Sequence, residues 1–263
     1  MKFVANNIGK NFIEQTCYEA MGPSDQQKGL PQPPLQETYD KTAKLIELPS
    51  PESIKLPSID FKEIVYNRRS VRKYSKNPLK LEELSYLLWC SQGVKKIVPG
   101  SATFRTVPSA GARHSFETYL LVNNVENLNP GLYKFVALEH KLISLPAQEN
   151  VADQIAKGCL GQNFVKTCAA TFIWTADVYR MTWRYGQRGY RYLYLDAGHV
   201  CQNLYLAAET INCGACGIAA FDDKTLNSIL KLDGESKFVI YLATAGKKSK
   251  LKFPLEEKEV EEG

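Results

Sequence analysis

The stretch "DAGHVCQNLYLAAETINCGACGIAAFDD" (Asp196–Asp223) decides how the chain is read. Ala197, Val200, Leu204, Ala208 and Ile211 recur at helical spacing, which predicts a long helix from Asp196 to near Gly214 with one face in a core. His199, Gln202 and Asn203 are polar residues on that otherwise apolar helix, the mark of satisfied core or interface polars or of a site. The "GIAAF" that follows is small enough to bring its backbone close to a ligand. "CGAC" could be redox-active or half a zinc site. No second C-x-x-C and only three histidines are present, so buried, inert thiols at a helix end are expected.

Working outward, "AATFIWTAD" (Ala169–Asp177) and "KFVIYLATAG" (Lys237–Gly246) are continuous apolar runs, read as buried strands. "ETYLLVN" (Glu117–Asn123) is strand-like, and "GLYKFVALEHKLISL" reads as a hairpin turning near Ala137–His140. "DFKEIVYNRRS" reads as a helix capped by Asp60, and "LEELSYLLWCSQG" as one that ends at Gly93. Helices and strands mix without β-α-β alternation, so the expected class is α+β with an antiparallel or mixed sheet.

The chain has 263 residues, 44% hydrophobic and 23% charged, with a formal net charge of +5. No apolar run reaches membrane-spanning length, and the first residues lack an apolar signal region, so a cytoplasmic protein is expected. Seven cysteines at irregular spacing argue against a disulfide framework. Residues 1–58 hold seven of the thirteen prolines. They read as an arm without its own core, with a short helix around Asn11–Ala20, that is either a flexible leader or wraps the body or a partner subunit. Residues 59–250 form the domain, and 251–263 an acidic tail.

The positive charge is concentrated in "YNRRSVRKYSKNPLK" (Tyr66–Lys80), six cations without an acid. Arginine forks beside a serine hydroxyl suit a terminal phosphate, and a solvated basic face is the alternative. No phosphate-loop or dinucleotide glycine pattern accompanies it. The charge is too local for a nucleic-acid surface. In "FRTVPSAGARHSFETYLLV" (Phe104–Val122), "PSAGA" is a turn or a close-approach loop. A Ser109–His114 nucleophile is disfavoured because no G-x-S-x-G elbow exists.

In order, R-R-S-x-R, P-S-A-G-A-R-H-x-x-E-x-Y and D-x-G-H-x-x-Q-N-L-x-L-A-A-E resemble the FMN-dependent nitroreductase superfamily over roughly residues 60–250. Within it, the chain is similar to the branch of SagB-type dehydrogenases, azoline-oxidising flavoproteins. The resemblance implies a nitroreductase-like sandwich, a homodimer and two FMN molecules at its interface. It implies that Arg68, Ser70 and Arg72, with Arg69 between them, hold the phosphate and pyrimidine edge. It further implies that Pro108, Ser109 and Ala110 lie on the partner's flavin, and that the backbone of Ile218, Ala219 and Ala220 faces N5. Gln162 falls near the pyrimidine, Lys247 and Lys248 near the phosphate, and His199 where the interface helix passes the flavin. No catalytic side chain and no metal are required, since flavin carries hydride between NAD(P)H or a small organic substrate and an acceptor. A flavin-remodelling enzyme and a flavin carrier or sensor are the competing expectations. Azoline oxidases of this branch are associated with a Lys-Tyr pair before the histidine helix, where this chain has Arg191 and Tyr192. The aromatic run 179–194 could be a lid or helix packing.

Overall fold

A computed structural model describes residues 7–146 and 148–249. The acidic tail expected at 251–263 lies outside them. In chain order the elements begin with α1 (Ile8–Gln15), β1 (Leu45–Glu47), α2 (Phe61–Asn67), α3 (Leu81–Gln92), β2 (Val94–Val98) and β3 (Ala102–Arg105). They continue with β4 (Phe116–Val122), β5 (Gly131–Val136), β6 (Lys141–Ser144), α4 (Val151–Gly158), α5 (Phe164–Thr167) and β7 (Ala170–Asp177). The last are α6 (Val178–Tyr185), α7 (Gly189–Thr210), β8 (Cys213–Ile218), α8 (Asp223–Ile229) and β9 (Lys237–Lys247). Seven strands form one sheet in the order β1-β6-β5-β4-β7-β9-β8, and every pairing is antiparallel.

Why the central strands read as unbroken apolar runs follows from the two cores. In β4, Phe116, Leu120 and Val122 join the cluster under α3 and α7, while Tyr119 and Leu121 join the cluster under α4 and α8. β7 divides likewise, with Phe172 and Trp174 on one face and Ile173 on the other. A strand covered on both faces has no solvent side on which to place polar residues.

Helix boundaries differ from expectation in three places. The long helix starts at Gly189, seven residues before Asp196, because Gly189, Leu193 and Asp196 continue its buried face. The tyrosine-rich run 189–195 is thus two helical turns, and Asp196 is a buried mid-helix carboxyl. The helix ends at Thr210, and left-handed Asn212 (φ +54°) redirects the chain, so "CGAC" lies in edge strand β8 and not at a helix end. At the N-terminus the helix closes at Gln15, and a separate 3-10 turn covers Tyr18–Ala20.

The arm lies along the body. Trp183 Nε1 donates to Leu30 O, Gln36 Oε1 accepts from Leu138 N, and β1 adds a strand beside β6. Glu37 ion-pairs with both Lys134 and Lys237 and donates its backbone N–H to Glu117 Oε1. Glu117 in turn meets Arg180 at 2.6 Å. This buried charge network gives each cation a carboxylate, without which burial would be costly.

Candidate flavin site

The basic stretch is stitched to the sheet edge. Ser70 bridges Ala215 in parallel, Val71 N donates to Ala215 O, Tyr74 bridges Lys248, and Ser75 N donates to Lys247 O. Tyr74 OH, half-buried, holds this course through Val71 O and Thr244 Oγ1, both at 2.7 Å. Gly214 makes the close approach possible: a Cβ there would lie 2.4 Å from Val71 Cγ2. Residues 70–71 thus lie beside β8, and residues 74–75 reach the end of β9.

The result is a cavity of about 280 Å³ lined by Arg69–Lys73, Lys248 and Ser249. No carboxylate lines it, and its donors suit a phosphate monoester. Lys248 is anchored by an ion pair to Glu209 on α7. Lys247 turns elsewhere, pairing with Glu83 on α3.

Sequence reasoning passed over Tyr205, the residue that ties this cluster together. Its hydroxyl lies 3.0 Å from Ser70 Oγ and accepts from Gly217 N at 2.6 Å. The Arg68 guanidinium sits 5.4 Å from its ring centroid. One α7 side chain therefore positions Arg68, Ser70 and β8 together, with Cys216 beside Arg72. A signal existed, since Tyr205 is the variable position of Q-N-L-x-L-A-A-E, but a tyrosine on an apolar helix face is commonplace.

Past β8, Ala219 and Ala220 are exposed. Gln162 Nε2 donates to Ala220 O and to Cys159 O, both at 2.9 Å, so Gln162 fixes the course of this backbone. A cavity of about 390 Å³ opens here, walled by Tyr194, Gly198, Ala219, Phe221 and Tyr241.

The PSAGA turn is built separately. Ala110 N donates to Asp196 Oδ1 at 3.2 Å, and Ser109 Oγ accepts from His114 N at 2.9 Å. Gly111 takes φ +56°, with Tyr185 OH and the Arg184 side chain packed against it. Burial raises the Asp196 carboxyl pKa, and its Oδ2 has no partner among the described residues. Burial, helped by nearby Arg105, pushes the His114 imidazole down to about 3. His114 is therefore neutral near pH 7 but a very weak base, which disfavours a Ser109–His114 nucleophile. Asp196 and Tyr205 are nine residues apart on α7, about 14 Å along its axis. Within one chain the turn and the clamp are thus two ends of one helix. Between them α7 exposes Gly198, His199 and Gln202.

The CGAC thiols are buried, and burial pushes Cys213 up to about 12 and raises Cys216. All seven cysteines are free.

An all-antiparallel sheet packed between helical layers, with an arginine-rich segment beside its edge strand, defines an α+β sandwich. The nitroreductase family model matches residues 65–247, and the chain belongs to the nitroreductase family of oxidoreductases. MJ1384 of Methanocaldococcus jannaschii, provisionally named a nitroreductase, is 36% identical over 203 residues, covering 77% of this chain and 96% of that protein. The trifolitoxin-processing protein TfxB of Rhizobium leguminosarum bv. trifolii is 29% identical over 154 residues, covering 57% of this chain and 41% of TfxB. The crystal structure of a provisionally named nitroreductase from Anabaena variabilis superposes with TM-score 0.63 at 28% identity, covering 81% of this chain and 45% of that one. The chain thus spans less than half of TfxB and of the Anabaena protein, and the fit to TfxB agrees with the SagB-like branch. No helix among the described residues is long and apolar enough to cross a membrane.

Proposed function

We propose that the protein is an FMN-dependent oxidoreductase that passes hydride between NAD(P)H, or an organic substrate, and an acceptor. The observation that carries this reading is the cavity lined by Arg69, Ser70, Arg72 and Lys73, whose Ser70 is joined to β8 through Tyr205. Bound FMN would supply hydride chemistry at N5. Arg68, Ser70 and Arg72 would hold its phosphate and pyrimidine edge, with Arg69 between them; Lys247 and Lys248, committed to Glu83 and Glu209, would act through the position of the end of β9. The backbone of Ile218–Ala220, steadied by Gln162, would offer a donor where negative charge develops.

The working form would be a homodimer with 1–58 as the arm and 59–250 as the flavin domain. Phe61 and Val65, one turn apart on α2, are 66% and 49% exposed, an apolar patch that a second copy would cover. Two-fold pairing would let Pro108, Ser109 and Ala110 of one chain, with His199 at the interface, complete the other chain's site. Seven free thiols suit the cytoplasm. Anaerobic stopped-flow mixing with NADH and NADPH is the test: bleaching of an oxidised-flavin spectrum supports turnover. A colourless protein that FMN cannot reconstitute would sink the proposal. Flavin that only dithionite reduces would favour a carrier or a dehydrogenase reduced by its own substrate.

A further inference from the structure

A second polar cavity lies about 25 Å from Tyr205, at the N-terminal end of α7, by the 17-residue offset to its lining residue Arg188. It has a volume of about 370 Å³ and opens to solvent between the arm, α6 and the turn before α7. Tyr18, Gln26 and Gln27 of the arm face Arg184, Tyr185 and Arg188. No acid lines it. Arg188 is held in place: its Nε donates to Tyr192 OH at 2.7 Å, its Nη1 to Thr16 O at 2.8 Å, and its guanidinium sits 4.0 Å from the Tyr18 ring centroid. Arg184 differs. Among the described residues it makes no hydrogen bond or ion pair, and its guanidinium lies 5.8 Å from the Tyr185 ring centroid. Its Cδ and Nε pack on Gly111 of the PSAGA turn.

A preorganised cavity of donors with one uncommitted guanidinium is built to receive an anion. We infer that the Arg184–Arg188 cavity is a carboxylate-binding subsite for an organic ligand. The exposed Glu19 carboxylate is within electrostatic reach of Arg188. The one uncommitted planar fork offers two parallel donors, a match for the two oxygens of a single carboxylate. The rings of Tyr18 and Tyr185 give apolar walls for the body of the ligand. Through Gly111 the subsite touches the turn assigned to the flavin, so its place as a substrate subsite rests on the proposed function, while carboxylate binding itself does not.

The test is fluorine NMR of 4-fluorobenzoate and its uncharged isostere 4-fluorobenzamide with the full-length protein, FMN in excess to occupy Arg68 and Arg72. The wild type should bind the benzoate in preference to the benzamide. Arg184→Gln should weaken benzoate binding about tenfold, the scale of one charge-assisted pair, and leave the benzamide unchanged. Arg184→Lys should recover part of the loss. In the wild type alone, added salt should weaken benzoate binding. Equal binding of the two probes, benzoate binding untouched by Arg184→Gln, or indifference to salt would overturn the inference. These readouts need no turnover, so failure with flavin in place counts against the subsite, and missing flavin counts only against the proposed function.

Discussion

Tyr205→Phe removes one oxygen and nothing else. In the wild type that oxygen accepts from Gly217 N at 2.6 Å and meets Ser70 Oγ at 3.0 Å. The phenylalanine ring keeps its packing under Arg68, so the loss is polar only. A net hydrogen bond is worth about 1 kcal/mol, and a buried amide left without an acceptor costs about 1–3 kcal/mol. Gly217 is half-buried and Ser70 exposed, so the Gly217 penalty falls at the low end and water replaces the tyrosine for Ser70. The sum is about 2 kcal/mol. If it appears as loss of clamp order, FMN affinity drops about 30-fold. If it appears as global stability, Tm falls by about 4–8 °C. Fluorescence titration with FMN and thermal unfolding of the apoprotein separate the two. Affinity and Tm both matching the wild type would refute the claim that Tyr205 couples the arginine segment to β8.

Gly214→Ala places a Cβ 2.4 Å from Val71 Cγ2 and should push residues 70–71 off β8, costing about 1–3 kcal/mol by thermal unfolding and weakening FMN. A wild-type Tm would show that this contact yields freely. His114 binds its proton in the unfolded chain near pH 6.5 but in the folded chain only near 3, so stability is full above 6.5 and falls as pH drops toward 3. Denaturant titrations should show a slope of up to about 1.4 kcal/mol per pH unit in that window from this group, and His114→Gln should flatten it. Glu37→Ala strips Lys134 and Lys237 of their shared carboxylate, so limited proteolysis should cut the arm sooner than in the wild type, and an unchanged pattern would detach Glu37 from arm docking.

The parts of the fold visible in sequence are those where one physical signal dominates. β7 and β9 sit between two cores, so their apolar runs could be nothing exposed. Asp60 caps α2 by accepting from Lys62 N, and the cap was readable. The first two turns of α7 were hidden because tyrosines serve strand, lid and helix alike, and Asp196 imitates a cap while its carboxyl holds Ala110 N. β1 was obscured by its proline-rich surroundings, since its pairing with β6 is a long-range event without local sign. The hairpin of β2 and β3 escaped because Val94–Val98 mixes lysines with apolar residues in no clear period. At the site, the arginines stood out as charge. Tyr205 and the Gly214–Val71 contact did not, because their roles exist only once β8, α7 and the basic stretch meet.

The central claim is that the Arg68–Arg72 stretch clamps a flavin phosphate against β8. Measuring FMN bound per chain in the purified Arg68→Ala/Arg72→Ala protein tests it most directly. The account predicts a folded protein that has lost its flavin and rebinds it at least about a hundredfold more weakly than the wild type, as expected when two charge-assisted phosphate contacts are removed. Stoichiometric FMN retained by that double variant would contradict it.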